Sequence, residues 1–365
     1  MIGVLVVDDS MTVRRRLIEI LAREPDLEVI GEAADGCRAV ELTRRLRPDV
    51  VTLDLALPEM NGLAATEAIM AHVPTPILIV SASFNRGEMF DTYQALSAGA
   101  VDVLDKPRGD DDTDWDERFV AAVRMAAKIK VITHLRGRLG QIGAFTPAPE
   151  PGARASHPEP GAPATDEDSR GGSAEVIALG ASTGGPGALV AVIGAISPAV
   201  LATIVVVLHI DAAFASSFAD WLGVQTSRPV RVARGGDPVA GAPGRVLFAP
   251  SGRHLVVERG VVRLTSDSPR HHCRPSIDTL FESLALDYGP RCAAALLTGM
   301  GRDGAAGLLA VRQAGGFTIA QDEATSVVYG MPREAAACRA ADRVLALPDI
   351  GPALELRAAR KEPRR

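Results

Sequence analysis

Three polar side chains in the second half of the sequence could form a catalytic set. Ser182 lies in the stretch Gly180-Ala181-Ser182-Thr183-Gly184, His209 directly follows an apolar run, and Asp303 lies in a glycine-rich loop. In acyl transfer a serine attacks a carbonyl carbon, a histidine accepts its proton, and a carboxylate orients the imidazole and balances its charge. The stretch around Ser182 also fits the G-x-S-x-G turn that exposes a nucleophilic serine. These residues favour a hydrolase with a serine nucleophile.

The residues alone leave the membership of this set open. A histidine after a strand is commonly just a polar loop residue, and an aspartate between glycines is a common turn residue. The glycine-rich turn could bind a nucleotide phosphate, although its spacing matches neither G-x-G-x-x-G nor the P-loop, or it could be a loop without chemistry. Other histidines and aspartates could act as base or acid: His254, His271, His272, Asp211, Asp237, Asp278 and Asp322.

A second group of polar residues follows the apolar runs of the first 130 residues. Its members are Asp8 and Asp9, Asp54, Ser81 and Lys106. Because the carboxyl ends of parallel strands meet at one edge of a sheet, these side chains should converge. Converging carboxylates suit a hard dication such as Mg²⁺, and a lysine with a hydroxyl suits a phosphoryl group. The alternative is that each aspartate merely caps the following helix.

The elements that must position these residues alternate between strands and helices. In the first half, apolar runs predict strands at 3–7, 27–33, 50–53, 77–81 and 101–104. In the second half, strands at 176–179, 203–208 and 293–297 are each followed by a helical pattern, at 189–196, 214–222 and 305–314. This alternation predicts an α/β fold of two doubly wound parallel-sheet domains, the first flavodoxin-like and the second Rossmann-like.

Composition predicts where the domains end. A length of 365 residues favours two domains. We expect the first at 1–130, the second at 174–350, and a charged C-terminal tail at 351–365. Between the domains, residues 131–173 should hold the end of a connecting helix (119–139) and a mobile linker rich in proline, glycine and alanine.

Bulk properties exclude several classes of protein. The net charge is −6 and the pI is near 5.7, which argues against a nucleic-acid partner. No apolar run approaches the roughly 18 residues that a membrane span needs, and the N-terminus lacks the features of a signal peptide. The four cysteines form no C-x-x-C pair, so we expect reduced thiols in a cytoplasmic protein.

The phosphoryl-site residues resemble, in this order, the receiver domain of bacterial two-component response regulators. The resemblance covers about residues 1–130 and implies that Asp54 is phosphorylated by a histidine kinase. It assigns the other residues to Mg²⁺ binding and phosphoryl contact: Asp8 and Asp9 with Asp54 to the metal, Ser81 and Lys106 to the phosphoryl group.

One departure from the receiver pattern concerns signal output. The family usually has an aromatic switch residue three positions before the lysine, and this sequence has Val103. The phosphate chemistry should be intact. The coupling to a second domain is expected to be weaker, or to run through neighbouring loops.

Residues 174–348 resemble the catalytic domain of the chemotaxis protein-glutamate methylesterases. The matching stretches are IALGASTGG at 177–185, HIDAAFASSFADWL at 209–222, RPSID at 274–278, LLTGMGRDGAAGL at 296–308 and AQDEATSVVYGMPREA at 320–335. The resemblance assigns the triad to Ser182, His209 and Asp303. It gives Thr183 and Met300 an oxyanion or site-lining role.

The resemblance also implies a function. It predicts phosphorylation-regulated hydrolysis of glutamyl methyl esters on methyl-accepting chemotaxis receptors, with release of methanol and with deamidation of receptor glutamines by the same acyl chemistry. Mg²⁺ is expected for phosphorylation, and no cofactor for ester hydrolysis. One rival is a dinucleotide-binding output domain without esterase activity, with Asp211 on a ribose. Another is a DNA-binding regulator, which would need a basic helix-turn-helix that the acidic chain does not offer.

Overall fold

The computed structural model describes residues 1–82, 86–106, 113–129, 174–210, 212–241 and 243–359. The predicted linker at 131–173 and the alternative acid Asp211 lie outside these ranges. No helix within them is long and apolar enough to cross a bilayer.

The first domain is built on a five-stranded parallel sheet. Its elements are β1 (Ile2–Val7), α1 (Met11–Ala22), β2 (Leu27–Ala33), α2 (Gly36–Leu46), β3 (Val50–Leu53), α3 (Gly62–His72), β4 (Ile77–Ser81), α4 (Arg86–Ala98), β5 (Asp102–Asp105) and α5 (Thr113–Ala126). The strand order is β2-β1-β3-β4-β5. The predicted doubly wound fold is confirmed, and each strand agrees with its prediction to within one residue at either end.

The second domain is built on a seven-stranded parallel sheet in the order β14-β13-β12-β6-β7-β9-β8, with β10 and β11 forming a separate antiparallel pair. Its elements are β6 (Val176–Ala181), α6 (Gly185–Ala195), β7 (Thr203–Leu208), α7 (Ala212–Thr226), β8 (Val230–Val232), β9 (Val246–Phe248), β10 (His254–Glu258), β11 (Val261–Thr265), α8 (Ile277–Tyr288), β12 (Cys292–Leu296), α9 (Ala305–Gln313), β13 (Phe317–Gln321), α10 (Met331–Ala337), β14 (Arg343–Leu345) and α11 (Leu347–Ala359). The predicted doubly wound parallel sheet is confirmed here as well.

The three central strands of this sheet carry the site. Every residue of β6, β7 and β12 is buried, and their sequences are almost continuously apolar. That composition is typical of parallel strands covered on both faces by helices. The strands are adjacent in the order β12-β6-β7, so the loops that follow them lie side by side.

Two predicted boundaries are wrong. The helix predicted at 119–139 begins earlier, at Thr113, and its regular part ends at Ala126. Residues 130–139 lie outside the described ranges. The early start is explained by Asp114 and Asp116, because acidic side chains in the first turn favour the positive end of a helix.

The second wrong boundary is the charged tail predicted from residue 351. Residues 351–359 instead complete α11, and Ile350 and Leu354 are fully buried. These two side chains are four positions apart, so they share one helix face. The charged neighbours Asp349 and Glu355 hid this face, which packs on α6 and on the sheet.

The two domains are in contact through α4. Tyr93 on this helix is buried, its ring lies against Phe218 and Trp221 of α7 at centroid distances of 5.3 and 5.4 Å, and its hydroxyl donates to the Phe214 carbonyl oxygen. Next to it, Ser97 lies against Gly187 of α6. The contact therefore has an apolar, aromatic centre.

Candidate active site

Backbone hydrogen bonds bring the three predicted catalytic loops together. The His209 N–H donates to the Ala181 carbonyl oxygen at 3.0 Å, and the Ser182 N–H donates to the Thr298 carbonyl oxygen at 3.0 Å. The loops after β6, β7 and β12 are thus joined residue to residue. Ser182, His209 and Asp303 follow those strands, as predicted from the sequence.

The Ser182 turn depends on two glycines. Gly184 has a φ of +76°, in the left-handed region that glycine adopts at little cost, and it begins α6. Gly299 lies directly beneath the serine, because a Cβ at residue 299 would be 2.7 Å from Ser182 Cβ and 2.3 Å from Met331 Cε. Both positions exclude a side chain, so this turn requires glycine at each of them.

The turn is further fixed by Thr298. Its hydroxyl donates to the Thr183 carbonyl oxygen at 2.9 Å and accepts the Val328 N–H at 2.9 Å, while its own N–H donates to Gln321 Oε1 at 2.8 Å. Thr298 and Gln321 are both buried. Sequence reasoning did not single out either residue, although Thr298 precedes the glycine-rich loop of Asp303.

His209 and Asp303 form a direct pair. His209 Nε2 lies 2.9 Å from Asp303 Oδ2, and Asp303 is only 2% exposed. Since Nε2 faces the carboxylate, Nδ1 is the nitrogen that remains for a proton acceptor role. Within the described ranges, Ser182 Oγ makes no hydrogen bond, to His209 or to any other residue. Such contacts are often long without substrate and shorten when it binds.

The Asp303 carboxylate is held at the start of α8. It accepts hydrogen bonds from Ser276 Oγ at 2.8 Å, the Ile277 N–H at 2.7 Å and the Asp278 N–H at 3.1 Å. Burial raises the pKa of Asp303. His209 and these donors at the positive end of the helix outweigh burial, so the pKa lies below its ordinary value. Asp303 therefore stays ionised beside the imidazole. Ser276 was missed as a site residue, although it lies inside the RPSID stretch.

The same pair controls the protonation of the histidine. Burial lowers the pKa of His209. The hydrogen bond and charge of Asp303 and the nearby Cys273 outweigh this effect and raise the pKa to about 9. Cys273 Sγ lies 3.7 Å from His209 Nδ1. No sequence pattern predicted a thiol here, since Cys273 lies 64 positions from the histidine.

Two of the three other candidate bases have structural partners. His254 accepts the Ser276 N–H at 3.1 Å, so it supports the start of α8. His271 Nε2 lies 3.2 Å from Asp278 Oδ2, and Arg302 donates to its Nδ1. His272 lines the cavity described below.

The alternative acids also have partners of their own. Asp278 is buried and accepts the Gly307 N–H at 2.7 Å. Asp237 pairs with Arg231 at 3.0 Å, and Asp322 accepts the Thr325 N–H at 3.0 Å. None of these three contacts His209 among the described residues, whereas Asp303 does.

A cavity of about 1030 Å³ lies between the two domains, beside the loop that carries Asp303. On one side it is lined by the loop after β12, including Met300 and Asp303; Met300 is 54% exposed. On the other side lie Arg124 and Met125 of α5 in the first domain and Lys128 just after this helix. The first domain thus lies across the approach to the catalytic loops.

The residues of the predicted phosphoryl site also converge. Lys106 Nζ lies 2.8 Å from Asp8 Oδ2 and 2.7 Å from Asp54 Oδ2, and both carboxylates are buried. The Lys106 N–H donates to the Ser81 carbonyl oxygen at 3.1 Å, which brings these two residues side by side. Asp9 is exposed at the edge of the same group.

The charges of this group fit a dication. One oxygen from each of Asp8, Asp9 and Asp54 lies within 4.8 Å of the others, and carboxylate oxygens are the ligands that Mg²⁺ prefers. Burial raises the pKa of Asp8 and the charge of Asp54 adds to it, although Lys106 opposes both. Burial lowers the pKa of Lys106, but hydrogen bonds to Asp54 and Asp8 outweigh this and raise it. The carboxylates of Asp8 and Asp54 share the single positive charge of Lys106, so a bound dication would relieve their mutual repulsion.

Comparisons with known proteins match both halves of the chain. The family model for CheB methylesterase matches residues 177–354, and that for the response regulator receiver domain matches residues 4–113. A protein-glutamate methylesterase/protein-glutamine glutaminase of Anaeromyxobacter dehalogenans is 45% identical over 97% of this chain and 96% of its own. One of Pseudomonas aeruginosa is 43% identical over 99% and 98%. The solved catalytic domain of Thermotoga maritima CheB methylesterase is 34% identical and covers 50% of this chain and 98% of that one, with a TM-score of 0.48.

Proposed function

Because this chain belongs to the CheB methylesterase family, we propose that it hydrolyses glutamyl methyl esters on chemoreceptors and releases methanol. Its relatives are also described as glutaminases, and ester and amide hydrolysis can share one acyl-enzyme. We therefore extend the proposal to receptor glutamines. The observation that supports it most is the His209–Asp303 pair, 2.9 Å apart, beside the Ser182 turn.

In the proposed mechanism, Ser182 Oγ attacks the ester carbonyl carbon while His209 Nδ1 accepts the hydroxyl proton. Asp303 holds the Nε2–H and offsets the positive charge of the imidazolium. When the tetrahedral intermediate breaks down, the same proton passes to the methoxy oxygen and methanol leaves. Water then attacks the acyl-enzyme by the same route, which frees the glutamate and restores Ser182.

The negative oxygen of each intermediate needs hydrogen-bond donors. The N–H groups of Thr183 and Gly184 at the start of α6 donate no hydrogen bond to any described residue, and the helix terminus adds positive potential there. We assign the oxyanion site to these groups. Loss of one such donor typically costs about 3–4 kcal/mol in the transition state. The exposed side chain of Met300 is assigned to the cavity lining.

For the first domain we propose that Asp54 accepts a phosphoryl group from a histidine kinase. Asp8, Asp9 and Asp54 would hold Mg²⁺, which when bound supplies positive charge for the carboxylates and the phosphoryl oxygens. Lys106 already contacts Asp54 and would bind a phosphoryl oxygen, with Ser81 beside it. Since the methylated helices of such receptors are cytoplasmic, we place the protein in the cytoplasm.

The decisive experiment measures methanol release from methylated receptor fragments by the full-length protein, with and without a small-molecule phosphodonor and Mg²⁺. We expect release that increases with the phosphodonor, and none from Ser182→Ala. Absence of methanol under both conditions would contradict the proposal. Binding of a nicotinamide nucleotide in calorimetry would support the dinucleotide-binding alternative instead.

A further inference from the structure

A thiol lies beside the imidazole nitrogen that must accept the serine proton. Cys273 Sγ is 3.7 Å from His209 Nδ1 and 3.4 Å from the His271 carbonyl oxygen. The thiol is half-buried and lines the cavity, so small solutes in the cavity can reach it. Hydrolysis as proposed above makes no use of a thiol.

The separation of the two atoms matches that of two ligands on one metal ion. A tetrahedral zinc ion with a sulfur at about 2.3 Å and an imidazole nitrogen at about 2.0–2.1 Å holds them about 3.6 Å apart. His209 Nε2 is hydrogen-bonded to Asp303, and metal-binding histidines commonly use their second nitrogen in this way. His209, Cys273 and Asp303 also have ligand atoms that all lie within 4.8 Å of one another.

We propose that His209 and Cys273 form a binding site for a thiophilic divalent cation such as Zn²⁺, and that this cation inhibits the hydrolase. The metal binds the Nδ1 lone pair and the sulfur, the thiol proton leaves to solvent, and water completes the coordination. Asp303 fixes the imidazole without binding the metal, because three donors besides His209 already occupy its oxygens. The inhibition rests on the proposed function; the metal binding does not.

Cobalt(II) provides a probe of this site that does not depend on enzymatic activity. A cobalt–thiolate bond gives a charge-transfer absorption band that carboxylate ligands do not give, and excess Mg²⁺ keeps the carboxylates of the first domain occupied. In the full-length protein we expect this cobalt–thiolate band. The band should disappear in Cys273→Ser and remain in Cys338→Ser, which removes a different free cysteine and serves as the control. His209→Ala should weaken cobalt binding at least tenfold, which tests the nitrogen ligand by a second variant.

The inhibition is measured as the ratio of methanol release with and without Zn²⁺ within each variant. The parent and Cys338→Ser should be inhibited reversibly, with recovery after a chelator, and Cys273→Ser should need at least tenfold more Zn²⁺. An equal cobalt band in Cys273→Ser, or no band in the parent, would overturn the site. A band without inhibition would overturn the inhibitory role. If no variant hydrolyses the ester at all, the proposed function fails, and the cobalt band still decides the metal site.

Discussion

His209 Nε2 lies 2.9 Å from Asp303 Oδ2, and the same carboxylate oxygen accepts the Ile277 N–H at 2.7 Å. The imidazole is therefore tied through one carboxylate to the first turn of α8. His209 and the N–H groups at the positive end of the helix together keep the carboxylate ionised, and the ionised carboxylate keeps the imidazole basic. A helix that contributes no reacting group thus helps to hold the carboxylate that raises the pKa of the histidine.

The raised pKa of His209 predicts an alkaline activity profile. A general base must be neutral, and a pKa of about 9 means that the neutral fraction grows as the pH rises toward 9. We expect kcat/KM for methanol release to increase across this range. Asp303→Asn should shift the apparent pKa toward the ordinary histidine value of about 6.5 and lower the maximal rate. A profile of the parent that is already flat at neutral pH would contradict this coupling.

The nucleophile assignment predicts that Ser182→Ala loses at least about 10³-fold in kcat, because the acyl-enzyme cannot form. The fold should persist, since the small half-buried hydroxyl makes no hydrogen bond to a described residue. Adding His209→Ala to Ser182→Ala should cost little more, because triad members act as a unit. Circular dichroism checks the fold, and substantial activity in Ser182→Ala would refute the assignment.

The close packing around Gly299 predicts that Gly299→Ala, a substitution outside the triad, lowers the activity. A Cβ in Gly299→Ala would be 2.7 Å from Ser182 Cβ and 2.3 Å from Met331 Cε, so the serine or Met331 must move. Displacements of about 1 Å from productive geometry can cost about 10²-fold in rate, and we expect a loss of that order in kcat.

The matched control for Gly299 is Gly194→Ala within α6. A Cβ at residue 194 meets nothing within 4 Å. This change should leave activity unaltered and stabilise the protein by about 0.4–1 kcal/mol, because alanine restricts the unfolded chain. Thermal unfolding and methanol release measure the two effects. Equal activity in Gly299→Ala and Gly194→Ala would show that the serine turn tolerates the extra atom.

Sequence patterns predicted the first sheet and the three central strands of the second for a clear physical reason. Strands such as β6, β7 and β12 are buried on both faces, so their sequences are continuously apolar and stand out from the helices. Helix ends were predicted less well. In α11 the buried positions Ile350 and Leu354 adjoin the charged residues Asp349 and Glu355, and only the tertiary contact reveals their role.

The same reasoning explains which site residues the sequence revealed. Ser182 and His209 follow strands that are neighbours in the sheet, so strand order alone brings them close. Ser276 and Cys273 belong to the segment before α8, which reaches the site by helix packing. No periodicity in the sequence reports that approach. The RPSID stretch pointed to Ser276 without a role, and Cys273 could be found only from the structure.

The geometry of the phosphoryl site predicts that incorporation of phosphate into the protein depends on the Asp54 carboxylate and on Mg²⁺. Asp54→Asn should abolish incorporation of phosphate from a small-molecule phosphodonor, because the amide cannot form the acyl phosphate. Removal of Mg²⁺ with a chelator should have the same effect on the parent. Glu67→Gln, an exposed change on the neighbouring α3, is the control and should label normally. Normal labelling of Asp54→Asn would place the acceptor at another residue.

The contact between the domains predicts that the first domain inhibits the second when unphosphorylated. With Tyr93 docked on Phe218 and Trp221, α5 lies across the cavity that leads to Asp303. A receptor helix needs that space, so hydrolysis requires the domains to separate. Phosphorylation can favour separation only if the phosphorylated domain binds α6 and α7 less tightly. A tenfold activation corresponds to about 1.4 kcal/mol, which the loss of one aromatic contact can supply.

Two variants of Tyr93 separate docking from other effects. Tyr93→Ala removes the ring contacts and should raise the activity of the unphosphorylated protein severalfold, toward that of the phosphorylated parent. Tyr93→Phe keeps the ring and loses only the hydrogen bond to the Phe214 carbonyl oxygen, so its activation should be smaller. Because Val103 replaces the usual aromatic switch, the parent should respond only modestly to the phosphodonor. If unphosphorylated Tyr93→Ala is as slow as the parent while the phosphodonor still activates both, then this contact does not inhibit the enzyme and the signal passes by another route.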